Sequence, residues 1–247
     1  MKAIILAAGY ATRLYPLTID KPKALLPICE KPILNYIVEE IETIADIDEL
    51  TIVSNNKFYP NFVEWQETYK SRLKINVLND KSTDDSNKLG AVGDIQFVIE
   101  QMAISDDVLI MAGDNIFTFK LVDYYKAYKE KDADMILTKE INNVEDLKRM
   151  ANVTLDETGR VIDLVEKPPV PKSNIAAFAS YIYKKETLPL IKQYLDEGNN
   201  PDAPGFFPAW LHKVKPVYAY TFDGECYDIG TPESYAQVNE IFKKAAK

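Results

Sequence analysis

The chain reads as an α/β protein, a doubly wound sheet with an added β-rich part, on three observations. Short apolar runs ending at Gly, Asn or Asp recur along the first 150 residues, and amphipathic stretches at helical spacing separate them. After residue 150 the pattern changes to alternation around turn residues, as in hairpins. Strand, loop, helix and strand in succession make a unit whose crossover sets a parallel neighbour, and repeating it winds a sheet with helices on both faces.

Residues 3–8 (AIILAA) are a short apolar run, the mark of a buried strand, and deliver the chain into a loop at Gly9. Residues 34–45 (LNYIVEEIETIA) place apolar side chains on one helical face, and 49–55 (ELTIVSN) follow as a second strand. The pattern continues with a strand at 74–80, an amphipathic helix at 90–102, a strand at 107–114, a helix at 121–131 and a strand at 133–140. Residues 152–168 read as a hairpin turning at Glu157-Thr158-Gly159, 168–174 as a Pro-rich loop, 176–186 as a strand and 186–197 as a helix. Residues 215–230 read as a second hairpin around Asp223-Gly224, and PESYAQVNEIFKK closes as a helix. No repeat or low-complexity linker marks a boundary. Residues 1–247 are therefore expected to be one domain, with an α/β core over about 1–150 and the β-rich part and closing helix over about 151–247.

Composition narrows the function. With 47% hydrophobic residues the chain can bury a core, and 29 Lys+Arg against 38 Asp+Glu leave a net charge of −9. That balance argues against nucleic acid or an anionic membrane surface as partner, since both would repel the chain at long range. Two cysteines, Cys29 and Cys226, exclude a disulfide scaffold and a four-Cys zinc site and suit a reducing compartment. The opening apolar run is too short for a secretory signal or a membrane span, so a soluble cytoplasmic protein is expected.

Of nine glycines, Gly159, Gly198, Gly205 and Gly224 fit plain turns. Gly9, Gly90, Gly93, Gly113 and Gly230 lie at strand ends, at helix starts or beside carboxylates, and so outline one candidate site at the carboxyl ends of the strands. The first loop sets Gly9, Ala11, Thr12 and Arg13 directly after strand one, with Lys21 and Lys23 ten residues on. Small residues there offer backbone N–H groups to phosphate oxygens, and Arg13 adds a bidentate fork. The loop is neither a GxxxxGK[ST] phosphate loop nor a GxGxxG dinucleotide fingerprint, so hydride chemistry is poorly supported.

LAAGYATRLYPLTIDKPKALLPI (6–28) resembles the LAxGxGTRLxPxT…PKxLLPV signature of the sugar-1-phosphate nucleotidylyltransferases. MAGDNIF (111–117), LVEKPPVPKSN (164–174) and YDIGTPESY (227–235) agree with that family in order, and GDNIF and EKPxxPKSN look most like the glucose-1-phosphate thymidylyltransferases. The resemblance implies a Rossmann-like, doubly wound mixed sheet of the GT-A type with an inserted β-rich sugar-binding part. The reaction it implies is attack of a sugar-1-phosphate oxygen on the α-phosphorus of a nucleoside triphosphate, giving an NDP-sugar and pyrophosphate, with glucose-1-phosphate and dTTP or UTP favoured. A phosphate monoester is already an anion near pH 7 and needs no general base, which agrees with a single histidine, His212, that has no evident acid–base partner.

The resemblance also implies roles. Arg13 would hold the β- and γ-phosphates, Lys23 the α-phosphate and Lys167 the phosphate of the acceptor. Leu6, Ala7, Ala8, Gly9, Ala11, Thr12, Asn79, Gly90 and Asp114 would line the nucleotide. Ala151, Glu166, Lys167, Lys172 and Asn174 would line the sugar, Glu166 accepting hydrogen bonds from its hydroxyls. Asp114 and Asp228 would hold Mg2+, a hard cation that takes one or two carboxylates plus phosphates and water.

Four positions depart from the thymidylyltransferase pattern. Ala11 replaces a loop glycine, tolerable at negative φ. Asn79 stands where those enzymes usually carry Gln, Ala151 where a glycine is expected, and Phe178-Ala179 for Thr-Gly. Base and acceptor therefore stay open, and a cytidylyltransferase for choline or polyol phosphate is the variant reading. A catalytically silent nucleotide-sugar-binding regulator would be expected to have lost Arg13, Lys23, Asp114 or Asp228, and all four are present. A glycosyltransferase would call for DxD where Gly113-Asp114-Asn115 stands. The length leaves no room for an appended left-handed β-helix and is short for C-terminal regulatory helices, so acetyltransferase activity is not expected and feedback is expected to be weak or absent. The aromatic stretch PGFFPAWLHKV (204–214) would either build a subunit interface or cover the sugar-binding part, which leaves room for a homo-oligomer.

Overall fold

The computed structural model describes residues 1–245. In chain order the elements are β1 (Lys2–Leu6), β2 (Pro27–Ile28), β3 (Lys31–Pro32), α1 (Ile33–Glu42), β4 (Glu49–Ser54), α2 (Tyr59–Thr68), β5 (Lys74–Asn79) and α3 (Ala91–Gln101). They continue with β6 (Val108–Ala112), β7 (Asn115–Phe117), α4 (Leu121–Lys131), β8 (Asp134–Glu140), α5 (Val144–Leu147), β9 (Ala151–Leu155) and β10 (Val161–Glu166). The last are β11 (Ile175–Tyr183), α6 (Leu188–Asp196), α7 (Phe206–Val214), β12 (Val217–Thr221), β13 (Cys226–Asp228) and α8 (Pro232–Ala245).

These elements group into two compact units that the chain enters more than once. One comprises Met1–Lys2, Leu89–Met111 and Asp123–Asp223; the other comprises Ala3–Lys88, Ala112–Val122 and the chain from Gly224 onward. The grouping differs from a simple division near residue 150. The closing helix α8 belongs with the early segments, where Tyr235 Oη donates to the Pro27 carbonyl at 2.6 Å and Cys29 N to Asn239 Oδ1 at 3.1 Å.

The unit built on Ala3–Lys88 has β4 between β1 and β5, with β5 parallel to β4 in the register Ser54↔Asn79. β1 and β4 are buried along most of their length, as the unbroken apolar runs require of inner strands. α1 buries Ile33, Leu34, Ile37, Val38 and Ile41, one helical face. α2 was not legible in the pattern: it buries only Phe62 and Trp65, and Pro60 looks like a breaker but sits in the first turn, where no N–H is missed. Its start is fixed by Asn55, whose carbonyl accepts from Tyr59 N and whose Oδ1 accepts from Phe58 N.

In the other unit β11 is the organiser. It pairs antiparallel with β6, β8 and β9, and β9 pairs with β10 as the expected hairpin. The pairing of β11 with β8 slips between Phe178 and Tyr181, so one long strand serves partners at both ends. Asp134, fully buried at the start of β8, is held by Lys215 Nζ at 2.8 Å, by Lys184 N and by Thr187 Oγ1. The aromatic stretch expected at an interface or over the sugar-binding part is helix α7, which packs on β10 with Phe207 and Leu211 fully buried.

Residues 215–230 are not a hairpin. β12 lies parallel to β8 (Val217↔Asp134) and β13 antiparallel to β7 (Asp228↔Asn115), so the two strands flanking Asp223-Gly224 serve different partners. Alternation around Asp-Gly announces two strands and a corner, but it does not say what each strand pairs with.

Two backbone positions lead to stability predictions. Gly90 has φ +79°, and a Cβ there would lie 2.5 Å from the Pro201 carbonyl oxygen, a main-chain atom that cannot swing aside. Gly90→Ala should therefore cost about 3 kcal/mol, by strain and overpacking together, and lower the thermal midpoint clearly. Ala11 does not meet the condition of negative φ under which a Cβ there is tolerable. It sits left-handed at φ 49°, ψ 41°, held because its carbonyl accepts from Leu14 N at 3.0 Å and Thr18 Oγ1 at 2.8 Å. Ala11→Gly should raise stability by about 0.5–1 kcal/mol, the relieved left-handed strain slightly exceeding the added unfolded-state entropy, as read by denaturant titration.

Candidate active site

The cation-bearing site forms where three segments of one unit converge. Lys23 opens a short 3-10 turn whose Ala24, Leu25 and Leu26 are buried, so an apolar anchor holds the stem while the ammonium reaches out. Its Nζ lies 2.7 Å from Asp114 Oδ2 and 3.6 Å from Asp228 Oδ1. The pairing of β13 with β7 explains why these two carboxylates meet: Asp228 stands opposite Asn115, the residue after Asp114. The Asp228 side chain is 70% exposed, yet partial desolvation raises its carboxyl above the ordinary range; Lys23 opposes that shift, Asp114 adds to it, and the nearby Arg13 charge lowers it again.

Gly113 brings Asp114 there. Its N–H donates to the Leu6 carbonyl at 2.9 Å, and a Cβ would lie 3.1 Å from that oxygen and 3.2 Å from Ile5 Cγ2. Asp114 thus follows directly on a close contact with the end of β1, which is where the small-residue loop begins. In that loop Gly9 is exposed, and a Cβ on it would meet nothing within 4 Å. Nothing inside the protein requires glycine there, and that face of the loop is open. Thr12 and Arg13 are exposed as well, and Leu6, Ala7, Ala8 and Ala11 are half-buried. Asn55, which the sequence reading passed over, donates Nδ2 to the Ala8 carbonyl at 2.8 Å, while Ala7 N donates to Val53 O. A buried Asn closing an apolar strand is the signal that would have found it.

Asn79 ends β5 as expected, with its amide already engaged: Nδ2 donates to Asn56 Oδ1 at 3.0 Å and Oδ1 accepts from Lys81 N at 2.8 Å. Gly90 lies in the other unit, where its φ and the Pro201 contact account for the glycine.

The expected acceptor residues all fall in that other unit. β10 ends at Glu166, followed by Lys167 in the left-handed region at φ 48°, its N–H donating to the Met150 carbonyl at 3.1 Å. The Glu166 side chain is 11% exposed, and among the described residues its nearest charge partner is Lys167 Nζ at 3.9 Å, itself 62% exposed. Burial holds the Glu166 carboxyl above the usual range, with Lys167 working against it. Ala151 begins β9 opposite Glu166 in the hairpin register. The 172–175 segment hangs on buried Asn152, which accepts from Lys172 N at 2.8 Å and donates to the Ser173 and Ile175 carbonyls at 3.0 Å each. The Lys172 side chain is paired with Asp163 at 2.6 Å, and Asn174 Nδ2 reaches Glu140 at 3.4 Å. Asn152 and Gly205, which lies against Glu166, are the residues the sequence reading missed here.

No three of His, Cys, Asp and Glu cluster as a metal site among the described residues, and no helix there is long and apolar enough to cross a membrane. Asp114 and Asp228 nonetheless fit a hard divalent cation: two carboxylates already converge on one positive charge, and magnesium asks for no more from protein when phosphates supply the rest.

Comparison with known proteins places the chain. A putative mannose-1-phosphate guanyltransferase of Sulfolobus acidocaldarius is 33% identical over 242 residues, covering 97% of this chain and 62% of the relative. A UTP–glucose-1-phosphate uridylyltransferase of Synechocystis is 27% identical over 244 residues, covering 96% and 62%. The chain thus spans about three fifths of the length of these curated relatives. Among solved structures, a UDP-glucose pyrophosphorylase complexed with UDP-glucose superposes with a TM-score of 0.84 at 22% identity, covering 99% of this chain and 98% of the other. A putative glucose-1-phosphate thymidylyltransferase from Bacillus anthracis superposes at 0.80 and 24%, covering 98% and 94%. Both share the mixed parallel and antiparallel sheet with its helices. The family described as Nucleotidyl transferase matches residues 2–245, and the chain belongs to that family.

Proposed function

We propose that the protein transfers a nucleotidyl group from a nucleoside triphosphate to a sugar-1-phosphate, forming an NDP-sugar and pyrophosphate, with glucose-1-phosphate and dTTP or UTP as the favoured pair. The observation that carries this reading is Lys23 held between Asp114 and Asp228 beside a small-residue loop with Arg13. Phosphoryl-type transfer depends on positioning and neutralising charge, and these residues offer cations and bare backbone, with no histidine among them. Lys23 would move from its carboxylates to the α-phosphate, where negative charge grows in the transition state, and Arg13 would take the leaving pyrophosphate. Asp114 and Asp228 would hold Mg2+, which when bound neutralises phosphate charge. Lys167 would hold the acceptor phosphate and Glu166 would accept from acceptor hydroxyls, a role in keeping with a nearly buried carboxylate. The name of the uridylyltransferase relative and the GDNIF and EKPPVPKSN motifs support the favoured pair, while the name of the mannose-1-phosphate guanyltransferase relative points to another base and sugar, which is why both enter the test. We place the protein in the cytoplasm, in keeping with its low cysteine count and small soluble substrates.

The test is pyrophosphate release from dTTP, UTP, CTP, GTP and ATP. Each is paired with glucose-1-phosphate, mannose-1-phosphate, other sugar-1-phosphates, choline phosphate and glycerol phosphate, with magnesium and a no-acceptor control. Acceptor-dependent release with a sugar-1-phosphate supports the reading, and release only with CTP and choline phosphate overturns it. Asp114→Asn should leave the melting curve near that of the wild type and lower magnesium-dependent turnover by about 100-fold or more. Lys167→Ala should raise the KM for the acceptor roughly tenfold, through loss of a charge-assisted hydrogen bond, with a smaller effect on the KM for the triphosphate. The reverse pattern would exchange the roles of Lys167 and Lys23.

A further inference from the structure

Gly205 precedes helix α7 with φ −70° and ψ −15°, ordinary right-handed backbone that any residue adopts. Gly205 does lie in a turn, closed by Phe206 N donating to the Ala203 carbonyl at 3.2 Å, but that backbone does not call for glycine. Space does: a Cβ on Gly205 would fall inside the contact distance of Glu166 Oε2 and 3.2 Å from Glu166 Cδ, with Ala151 Cβ at 3.5 Å. The atom in the way is the carboxylate tip itself, the far end of a flexible side chain. Gly205 is buried, and Glu166 keeps only 11% of its side-chain surface.

We infer that Gly205 is a positioning residue for the acceptor: its missing side chain is the space in which the Glu166 carboxylate sits, and any Cβ there displaces that carboxylate from the acceptor hydroxyls. This rests on the proposed role of Glu166 and goes beyond it, because it assigns the geometry of the acceptor contact to a residue outside every motif. Ala151 closes the same space from β9, opposite Glu166 in the hairpin register. The carboxylate is thus bounded by two of the smallest residues, on elements joined to β10 by pairing and packing. Because a side-chain tip yields more readily than backbone, Gly205→Ala separates position from stability, whereas Gly90→Ala, against a carbonyl, does not.

The experiment compares wild type, Gly205→Ala, Glu166→Ala, the double variant, and Gly205→Ala combined with Glu166→Asp, using whichever substrate pair turns over in the panel. For Gly205→Ala the acceptor KM should rise roughly tenfold and the triphosphate KM stay within about twofold. Its melting midpoint should fall by no more than about 3 °C. In the Glu166→Ala background Gly205→Ala should add nothing further to the acceptor KM, since both act through one carboxylate. The shorter Glu166→Asp should recover part of the loss. Equal rises in both KM values, effects that multiply in the double variant, or a large drop in melting midpoint would overturn the inference. A crystal structure of Gly205→Ala supplies a second readout: a displaced Glu166 carboxylate supports it, and a carboxylate still in place refutes it. That readout stands even if the wild type turns over no acceptor, a result that would count against the proposed function alone.

Discussion

The arrangement of the cation site depends on one ammonium held between two carboxylates. Asp114 and Asp228 come from segments more than a hundred residues apart, and unscreened they would repel each other. Lys23 at 2.7 and 3.6 Å makes their approach tolerable, and its own position is set by the buried Ala24-Leu25-Leu26 turn rather than by the charges. The three charges are therefore placed by apolar packing and strand register, and electrostatics then ties them together. Under the proposed function the backbone around these charges is set in advance, and only the Lys23 side chain has to change partners.

The same economy runs through the loop after β1. Its backbone is held from behind by Asn55, Thr18 and the contact between Gly113 and Leu6, each using side-chain or main-chain hydrogen bonds that face away from solvent. On the outward side Gly9 is unobstructed and Thr12 and Arg13 are exposed. Ala11 is the exception. It holds a left-handed conformation that glycine takes without strain, and the two hydrogen bonds to its carbonyl are what keep it there.

Much of this was legible in the sequence, for reasons that differ by residue. β1, β4, β6 and β8 declared themselves because inner strands need apolar runs, β5, the last strand of its sheet, by its Ile, Val and Leu, and α1, α3 and α4 because one helical face must be apolar. The four motifs named the charged residues. The false hairpin at 215–230 and the unannounced α2 both failed at partner choice: what β12 and β13 pair with, and what fixes the start of α2, are set by residues far off in sequence. Asn55, Asn152 and Gly205 were passed over because their work is done toward other backbone or side-chain atoms, and only coordinates put Gly205 beside Glu166.

The last of these bears on chemistry. A carboxylate with 11% of its surface exposed and its carboxyl held above the usual range is an uncomfortable group, and burial without donors costs free energy. Lys167 at 3.9 Å, largely in solvent, compensates only weakly. Packing could have removed the discomfort with a larger residue at 205 or 151 and a carboxylate turned outward. Instead the smallest side chains are kept on both sides, and the group stays in an enclosed position. A ligand that brings hydroxyl donors there would add hydrogen bonds to a carboxylate already largely withdrawn from water. Under the proposed function, an acceptor that brings no hydroxyl donor to this carboxylate would leave a nearly buried charge unsatisfied and be turned away.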